Sequence, residues 1–288
     1  MATAPLVVIV GPTASGKSAL AIELAEQFGG EIICADSRTV YKGMDIGTAK
    51  PSQEDQKRVQ HWGLDLVEPG ESFSAADFKE YANKKIAEIR ERGHIPFLVG
   101  GTGLYVDGVV FDYQFIPADM QLRADLEKLT VVELQKYCFE NNIKLPENKN
   151  NRRYLIRAIE QKDVNPKRLR EPQQGTIIVG ITTEKTVLLD RIHQRSEHLF
   201  ETGMVEEATR LGAKYGWESE AMTGNIYRLV HEFLQGKLTK TELKQKNETA
   251  DWRLAKRQLT WLKRNPFIKW LELDYARKYL ARRLAETV

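Results

Sequence analysis

Apolar positions along the chain alternate between two periods. Short runs rich in β-branched residues, "PLVVIV" (5–10), "EIICAD" (31–36) and "IPFLVGG" (95–101), read as buried strands. Between them, "SALAIELAEQF" (18–28) and "AADFKEYANKKIAEIRERG" (75–93) carry apolar residues at helical spacing. Strands separated by helices of this length predict right-handed βαβ units and a parallel sheet. A further strand, "GTIIVGI" (175–181), returns to that sheet. Between 117 and 172 the pattern is helical and polar, in "ADMQLRADLEKL", "VVELQKYCFENN" and "NRRYLIRAIEQK", with Pro117 and Pro172 at its ends. After 184 the chain is helical again, ending in "DWRLAKRQLTWLKRNPFIKWLELD" (251–274). The expected architecture is α/β: a P-loop NTPase-like parallel sheet flanked by helices over 1–116 and 173–288, carrying a small helical insertion over 117–172.

A length of 288 residues suits a main domain with a smaller one. Apolar content of 42% and charged content of 29% belong to a globular chain, and no run of 18 apolar residues could span a membrane. The first ten residues lack the basic start of a signal peptide, and the two cysteines, Cys34 and Cys138, are too few for a disulfide framework or a zinc cage. A reducing cytoplasm is the expected setting. The net charge is only +3, but residues 144–170 hold nine Lys and Arg against three Asp and Glu. Residues 251–288 hold ten against four. Two such segments point to a polyanionic partner.

"GPTASGKS" follows the first strand and opens the first helix, as the G-x-x-x-x-G-K-[ST] pattern requires. Its residues are Gly11, Pro12, Thr13, Ala14, Ser15, Gly16, Lys17 and Ser18. Glycines let backbone N–H groups converge on phosphate oxygens at the positive end of a helix. Lys17 adds a mobile cation, and Ser18 a hydroxyl suited to Mg²⁺. A nucleotide hydrolase would also need a strand ending in Asp or Glu to hold that metal. Here "IPFLV" ends instead in "GGTGLY" (100–105), a second glycine-rich loop. Two facing loops suggest a diphosphate gripped from both sides. The remaining carboxylate is Asp36, at the carboxyl end of the second strand, which is either a helix N-cap or a general base.

Taken together, "GPTASGKS", "DSRTVYKGMDIGTAKP", "FLVGGTGLY", "RIHQRSEHLFETGMVEEATRL" and "LAKRQLTW" resemble the tRNA dimethylallyltransferases, in family order from residue 6 to about 264. The resemblance implies transfer of a dimethylallyl group from dimethylallyl diphosphate to N6 of adenine 37 in tRNAs reading codons that begin with U. It implies Asp36 as the base, and Lys17, Ser18 with Mg²⁺, Thr102 and Arg195 as stabilisers of the departing diphosphate. It implies tRNA contacts from Asp36, Ser37, Arg38 and Thr39, from Thr102 and Arg123, and from Arg153, Tyr154, Leu155, Ile156 and Arg157. The insertion becomes the clamp on the anticodon stem-loop, and a monomer suffices.

Departures from the family pattern are Ser18 where relatives carry Thr, Tyr154 where many carry a basic residue, and a missing Asp-Pro motif before "NNRRYLIRAIE". In "AMTGNIYRLV" (221–230), Ile226 precedes Tyr227 where a glycine is usual, so the local backbone is expected to differ. No zinc finger of the eukaryotic relatives is present, which points to the bacterial type. An adenylate isopentenyltransferase, acting on free AMP, ADP or ATP, is the nearest rival, and the basic segments argue against it. A P-loop small-molecule kinase would need an ATP-side carboxylate. A non-catalytic RNA-binding protein would have no need of Lys17, Ser18, Asp36 and Thr102 together.

Overall fold

The computed structural model describes residues 3–117, 119–162 and 168–286. Residues 163–167 of the basic segment lie outside the described residues. The chain forms two compact units, one of Tyr113–Leu169 and one of the sequence on either side. The division therefore falls a few residues before the prolines at 117 and 172. Gln173 explains the second boundary: its N–H donates to Val110 O at 3.0 Å and its Nε2 to Val109 O at 2.8 Å, anchoring the returning chain within the larger unit.

In the larger unit the chain runs through β1 (Leu6–Val10), α1 (Lys17–Phe28), β2 (Gly30–Ala35), α2 (Gln53–Arg58), β3 (His61–Trp62), α3 (Ala75–Glu91), β4 (Ile95–Gly100) and α4 (Gly103–Val110). The smaller unit holds α5 (Met120–Leu126), α6 (Val131–Glu140) and α7 (Arg152–Glu160). The chain then returns through β5 (Thr176–Thr182), α8 (Lys185–Glu201), α9 (Met204–Tyr215), α10 (Asn225–Leu234), α11 (Lys240–Leu262), β6 (Lys269–Glu272) and α12 (Leu273–Ala285). The strands make one six-stranded sheet in the order β3-β2-β4-β1-β5-β6, with every pairing parallel. The two-residue β3 and the four-residue β6 lie at its edges, too short to give a periodic signal.

All of β1 is buried, as expected of a central parallel strand covered on both faces. Val7 and Ile9 pack with Leu20 and Leu24 of α1 and with Leu280 and Leu284 of α12. Each such aliphatic side chain contributes about 1.5–3 kcal/mol by leaving water. Helix starts are written locally: Ser52, Ser74, Thr130 and Thr239 close capping boxes on α2, α3, α6 and α11. Gly29 ends α1 in the left-handed region, with φ 66°, where a side chain would be strained.

A second core fixes the loop that follows β2. Val40, Tyr41 and Met44 pack with Met204, Ala208 and Leu211 of α9 and with Tyr227 of α10. The smaller unit has its own core of Leu126, Leu134, Cys138, Ile143, Leu155, Ile156 and Ile159. Both cysteines are buried and free.

Candidate functional site

Registration of the central strands assembles the site. Gly100 of β4 pairs with Val10 on one side and Ala35 on the other. The loops leaving β1, β4 and β2 therefore emerge at one level of the sheet, at its carboxyl ends, where ligands bind in open α/β folds. Gly11–Ser18 follows β1, Gly101–Thr102 follows β4, and Asp36–Thr39 follows β2.

The first loop enters α1 through Gly16 at φ 89°, and Ala14 also has positive φ, at 62°. Left-handed backbone at a non-glycine residue is uncommon and clusters where a loop is shaped around a ligand. The side chain of Ser15 is fully buried, and its Oγ has no hydrogen-bond partner among the described residues. Lys17 Nζ donates to Pro12 O at 3.1 Å. Burial pushes the Lys17 ammonium down to about 8, opposed by the nearby Asp36 charge and aided by Arg195. Ser18 is exposed, and its hydroxyl makes no hydrogen bond among the described residues.

The second loop lies against the first. A Cβ on Gly101 would come within 3.2 Å of Gly11 O and 2.3 Å of Gln258 Nε2, so a side chain there would push the Gln258 amide from its place. Gln258 of α11 joins the loops, since its Oε1 accepts from Thr13 N at 2.8 Å. Gly103 is needed for a similar reason, because the Trp261 ring occupies the space of its missing Cβ. Trp261 is held in turn by donating its Nε1–H to Asp107 Oδ2 at 2.7 Å.

Asp36 caps no helix. One oxygen accepts from Arg38 N at 2.8 Å, an Asx turn, and the other makes no hydrogen bond among the described residues. Thr102 ties this turn to β4: its Oγ1 accepts from Ser37 N at 3.2 Å, and its N–H donates to Ala35 O at 3.3 Å. Thr39 is buried and bonds Asp36 O, while Arg38 donates to the carbonyls of Glu220 and Ala221. Cys34 sits beneath, its thiol pushed up to about 12 by burial and by the Asp36 charge, so it is inert at neutral pH.

Helix α8 supplies two cations. Arg195 Nη1 donates to Thr13 Oγ1, and Arg191 Nη1 to Ser15 O at 3.2 Å. Sequence reasoning found Arg195 only through the family resemblance, and it missed Arg191 and Gln258 although both lie within quoted stretches. It also missed Glu207. That buried carboxylate accepts from the backbone N–H groups of Asp45, Ile46 and Gly47 at 2.8–3.0 Å, and from Tyr227 OH at 2.8 Å. It folds the stretch "MDIGT" around itself. Around Tyr227 the backbone is ordinary: α10 begins at Asn225 and Gly224 has φ −55°.

In the smaller unit, Arg123 is committed to a bidentate pair with Glu160 at 2.7 and 2.8 Å, and Arg157 joins the same carboxylate at 3.0 Å. Glu160 itself is almost fully enclosed. Leu155 and Ile156 point into this unit's core, so their side chains are not offered to a partner. Their spacing with Ile159 is the apolar stripe of a helix, a signal present in the sequence. Within 153–157 the surface is formed by Arg153, by Tyr154 at 49% exposure, and by part of Arg157.

No described helix is long and apolar enough to cross a membrane. A family model described as IPP transferase matches residues 39–265. The tRNA dimethylallyltransferase of Bacillus velezensis is 36% identical over 285 residues, covering 93% of this chain and 91% of its own. Among solved structures, the tRNA isopentenylpyrophosphate transferase of Bacillus halodurans is 36% identical with a TM-score of 0.74, covering 98% of this chain and 97% of that one. A eukaryotic dimethylallyltransferase described as acting on tRNA is 23% identical, covers 94% of this chain and 74% of that one, and shares the fold at a TM-score of 0.81.

Proposed function

The chain belongs to the IPP transferase family, and from that premise we propose that it transfers a dimethylallyl group from dimethylallyl diphosphate to N6 of adenine 37 in tRNA. The observation that carries this reading is the common register of Val10, Gly100 and Ala35, which brings two glycine loops and one carboxylate to the same end of the sheet.

The exocyclic amine of adenine is a weak nucleophile because its lone pair is delocalised into the ring. Asp36, with one oxygen held by its own turn and the other without a partner, takes the N6 proton as the N–C bond forms. On the other side the allylic C–O bond breaks, and the electron pair leaves with the diphosphate. Lys17, Arg195, Thr102 and the backbone of the Gly11–Ser18 loop hold that developing charge. Hard oxygen donors suit Mg²⁺, and the exposed Ser18 hydroxyl fits such an ion. When bound, Mg²⁺ supplies further positive charge against the diphosphate.

The acceptor base must leave the anticodon-loop stack, at a cost of a few kcal/mol. Arg38, Ser37 and Thr39 line the carboxylate that would receive it, and the smaller unit offers Arg153 and Tyr154 as a cation and a stacking surface for RNA. The protein acts as a cytoplasmic monomer in this reading, since one chain carries every group the chemistry uses. The test offers radiolabelled dimethylallyl diphosphate and Mg²⁺ with unmodified tRNA or with AMP. Label at adenine 37 of tRNA supports the reading. Label in AMP alone replaces it with adenylate prenylation, and label in neither refutes prenyl transfer.

A further inference from the structure

Helices α8 and α11 pack antiparallel along a seam whose register is set by side-chain pairs. Lys244 meets Glu197 at 2.5 Å, Asn247 Nδ2 donates to Ser196 Oγ at 3.1 Å, and Glu248 meets His193 at 2.9 Å. Further along, Ala255 packs on Leu188 and Ile192. One turn beyond Asn247 comes Asp251, which this register sets opposite Ile192, beside Arg191 and Arg195.

Asp251 is only 7% exposed, and it makes no hydrogen bond or ion pair among the described residues. Burial raises its carboxyl, and the charge of Arg195 opposes the rise. Arg195 carries the complementary deficit: one Nη binds Thr13 Oγ1, while Nε is buried with no partner among the described residues. An unpaired buried carboxylate is costly, and an apolar residue would serve the seam better as packing. The remaining use for it is the nearby Arg195 guanidinium, whose Nε has no partner among the described residues.

The geometry points to Asp251 as a positioning residue for Arg195. Its carboxylate receives the Nε–H edge when the Nη groups turn from Thr13 onto the diphosphate. The guanidinium is then held between two anions, with its plane fixed for the leaving group. This inference rests on the proposed function for the identity of the front anion.

The test uses the full-length protein, Asp251→Asn, Arg195→Ala and the double variant, with inorganic pyrophosphate and Mg²⁺ as the probe. Asp251→Asn should weaken pyrophosphate binding and slow single-turnover transfer by about tenfold each, the scale of a hydrogen bond to a charged group. The Michaelis constant for tRNA should stay within about twofold. The melting temperature should hold or rise, because a costly buried charge is removed; a merely structural residue would lower it. In the Arg195→Ala background, Asp251→Asn should change pyrophosphate affinity by less than about twofold, since the coupled partner is already gone.

Unchanged pyrophosphate affinity in Asp251→Asn would overturn the proposal. So would losses that multiply in the double variant, or a fall in melting temperature matching the fall in rate. Pyrophosphate binding by a wild type that transfers nothing to tRNA would refute the proposed function and leave the Asp251–Arg195 coupling measurable by affinity. Active wild type with an equally active Asp251→Asn would refute the positioning role alone. A wild type that binds no pyrophosphate would overturn both.

Discussion

Near the start of β2, Glu31 is enclosed by Trp62 Nε1 at 2.6 Å, by Arg92 at 2.8 and 3.0 Å, and by His94 Nδ1 at 2.7 Å. Burial alone would raise its carboxyl, but these bonds from Arg92, Trp62 and His94 outweigh it and bring it down to about 2. At the other end of the same strand, Asp36 has one oxygen engaged only by its own turn. At that end, Ser15 Oγ and Arg195 Nε are buried without partners among the described residues, and burial pushes the Lys17 ammonium down to about 8. One end of the sheet satisfies every polar atom of its buried charge and gains stability. The other leaves polar atoms unmatched, and such deficits gather where a ligand completes the hydrogen bonding.

Removing the central group of each end separates the two roles. Asp36→Ala should lower single-turnover transfer by roughly 10²–10⁴-fold, the range of general-base contributions. Urea unfolding and tRNA affinity should move little. A variant as fast as wild type would take Asp36 out of the base role. Glu31→Ala should do the reverse, lowering the unfolding free energy by removing the buried acceptor shared by Trp62, Arg92 and His94. The folded fraction should keep its transfer rate, and a proportional loss of rate at fixed folded fraction would erase the contrast.

Acidity sharpens it further. A carboxyl held below its ordinary value contributes stability above its unfolded pKa of 4.5. That contribution disappears as pH falls from there toward about 2. Stability measured across this window should drop more steeply in wild type than in Glu31→Gln. Lys17 works in the other direction. Its ammonium is charged below about 8 and loses its proton above that, so pyrophosphate affinity should fall up to about tenfold per pH unit beyond this point. Affinity that is flat between pH 8 and 10 would mean that Lys17 does not hold the anion.

The smallest effect lies in the helical unit. Arg153→Ala should weaken tRNA binding severalfold and lower the slope of log affinity against log salt by about 1. Arg123→Ala mixes causes, because it strips a bidentate partner from the enclosed Glu160 and loosens the unit itself. If both variants share one salt slope with wild type, this unit is not the RNA contact.

What the sequence revealed divides along physical lines. The long strands and the phosphate loop were legible because periodicity and glycine spacing act over a few residues. The edge strands β3 and β6 were not, since two and four residues carry no period. Gln258, Arg191 and Asp251 were hidden because their meaning depends on the packing of α8 and α11 beside a loop more than 170 positions away, as the Arg191–Ser15 bond illustrates. Glu207 looks like any acidic residue on an amphipathic helix until the loop at 45–47 folds over it. Leu155 and Ile156 are the opposite case: family resemblance named them as RNA contacts, while simple helical spacing already assigns them to a core.

The measurement that bears most directly on the contrast between the two ends is thermal unfolding with and without saturating Mg²⁺ and pyrophosphate, for wild type, Glu31→Gln and Lys17→Ala. A ligand at 100 times its dissociation constant adds about 2.7 kcal/mol to a folded protein that binds it. Wild type should gain that increment. Glu31→Gln should start lower and gain the same amount, and Lys17→Ala should start near wild type and gain little. Equal gains in wild type and Lys17→Ala, or none in either, would contradict the assignment of the unsatisfied end of the sheet to a diphosphate.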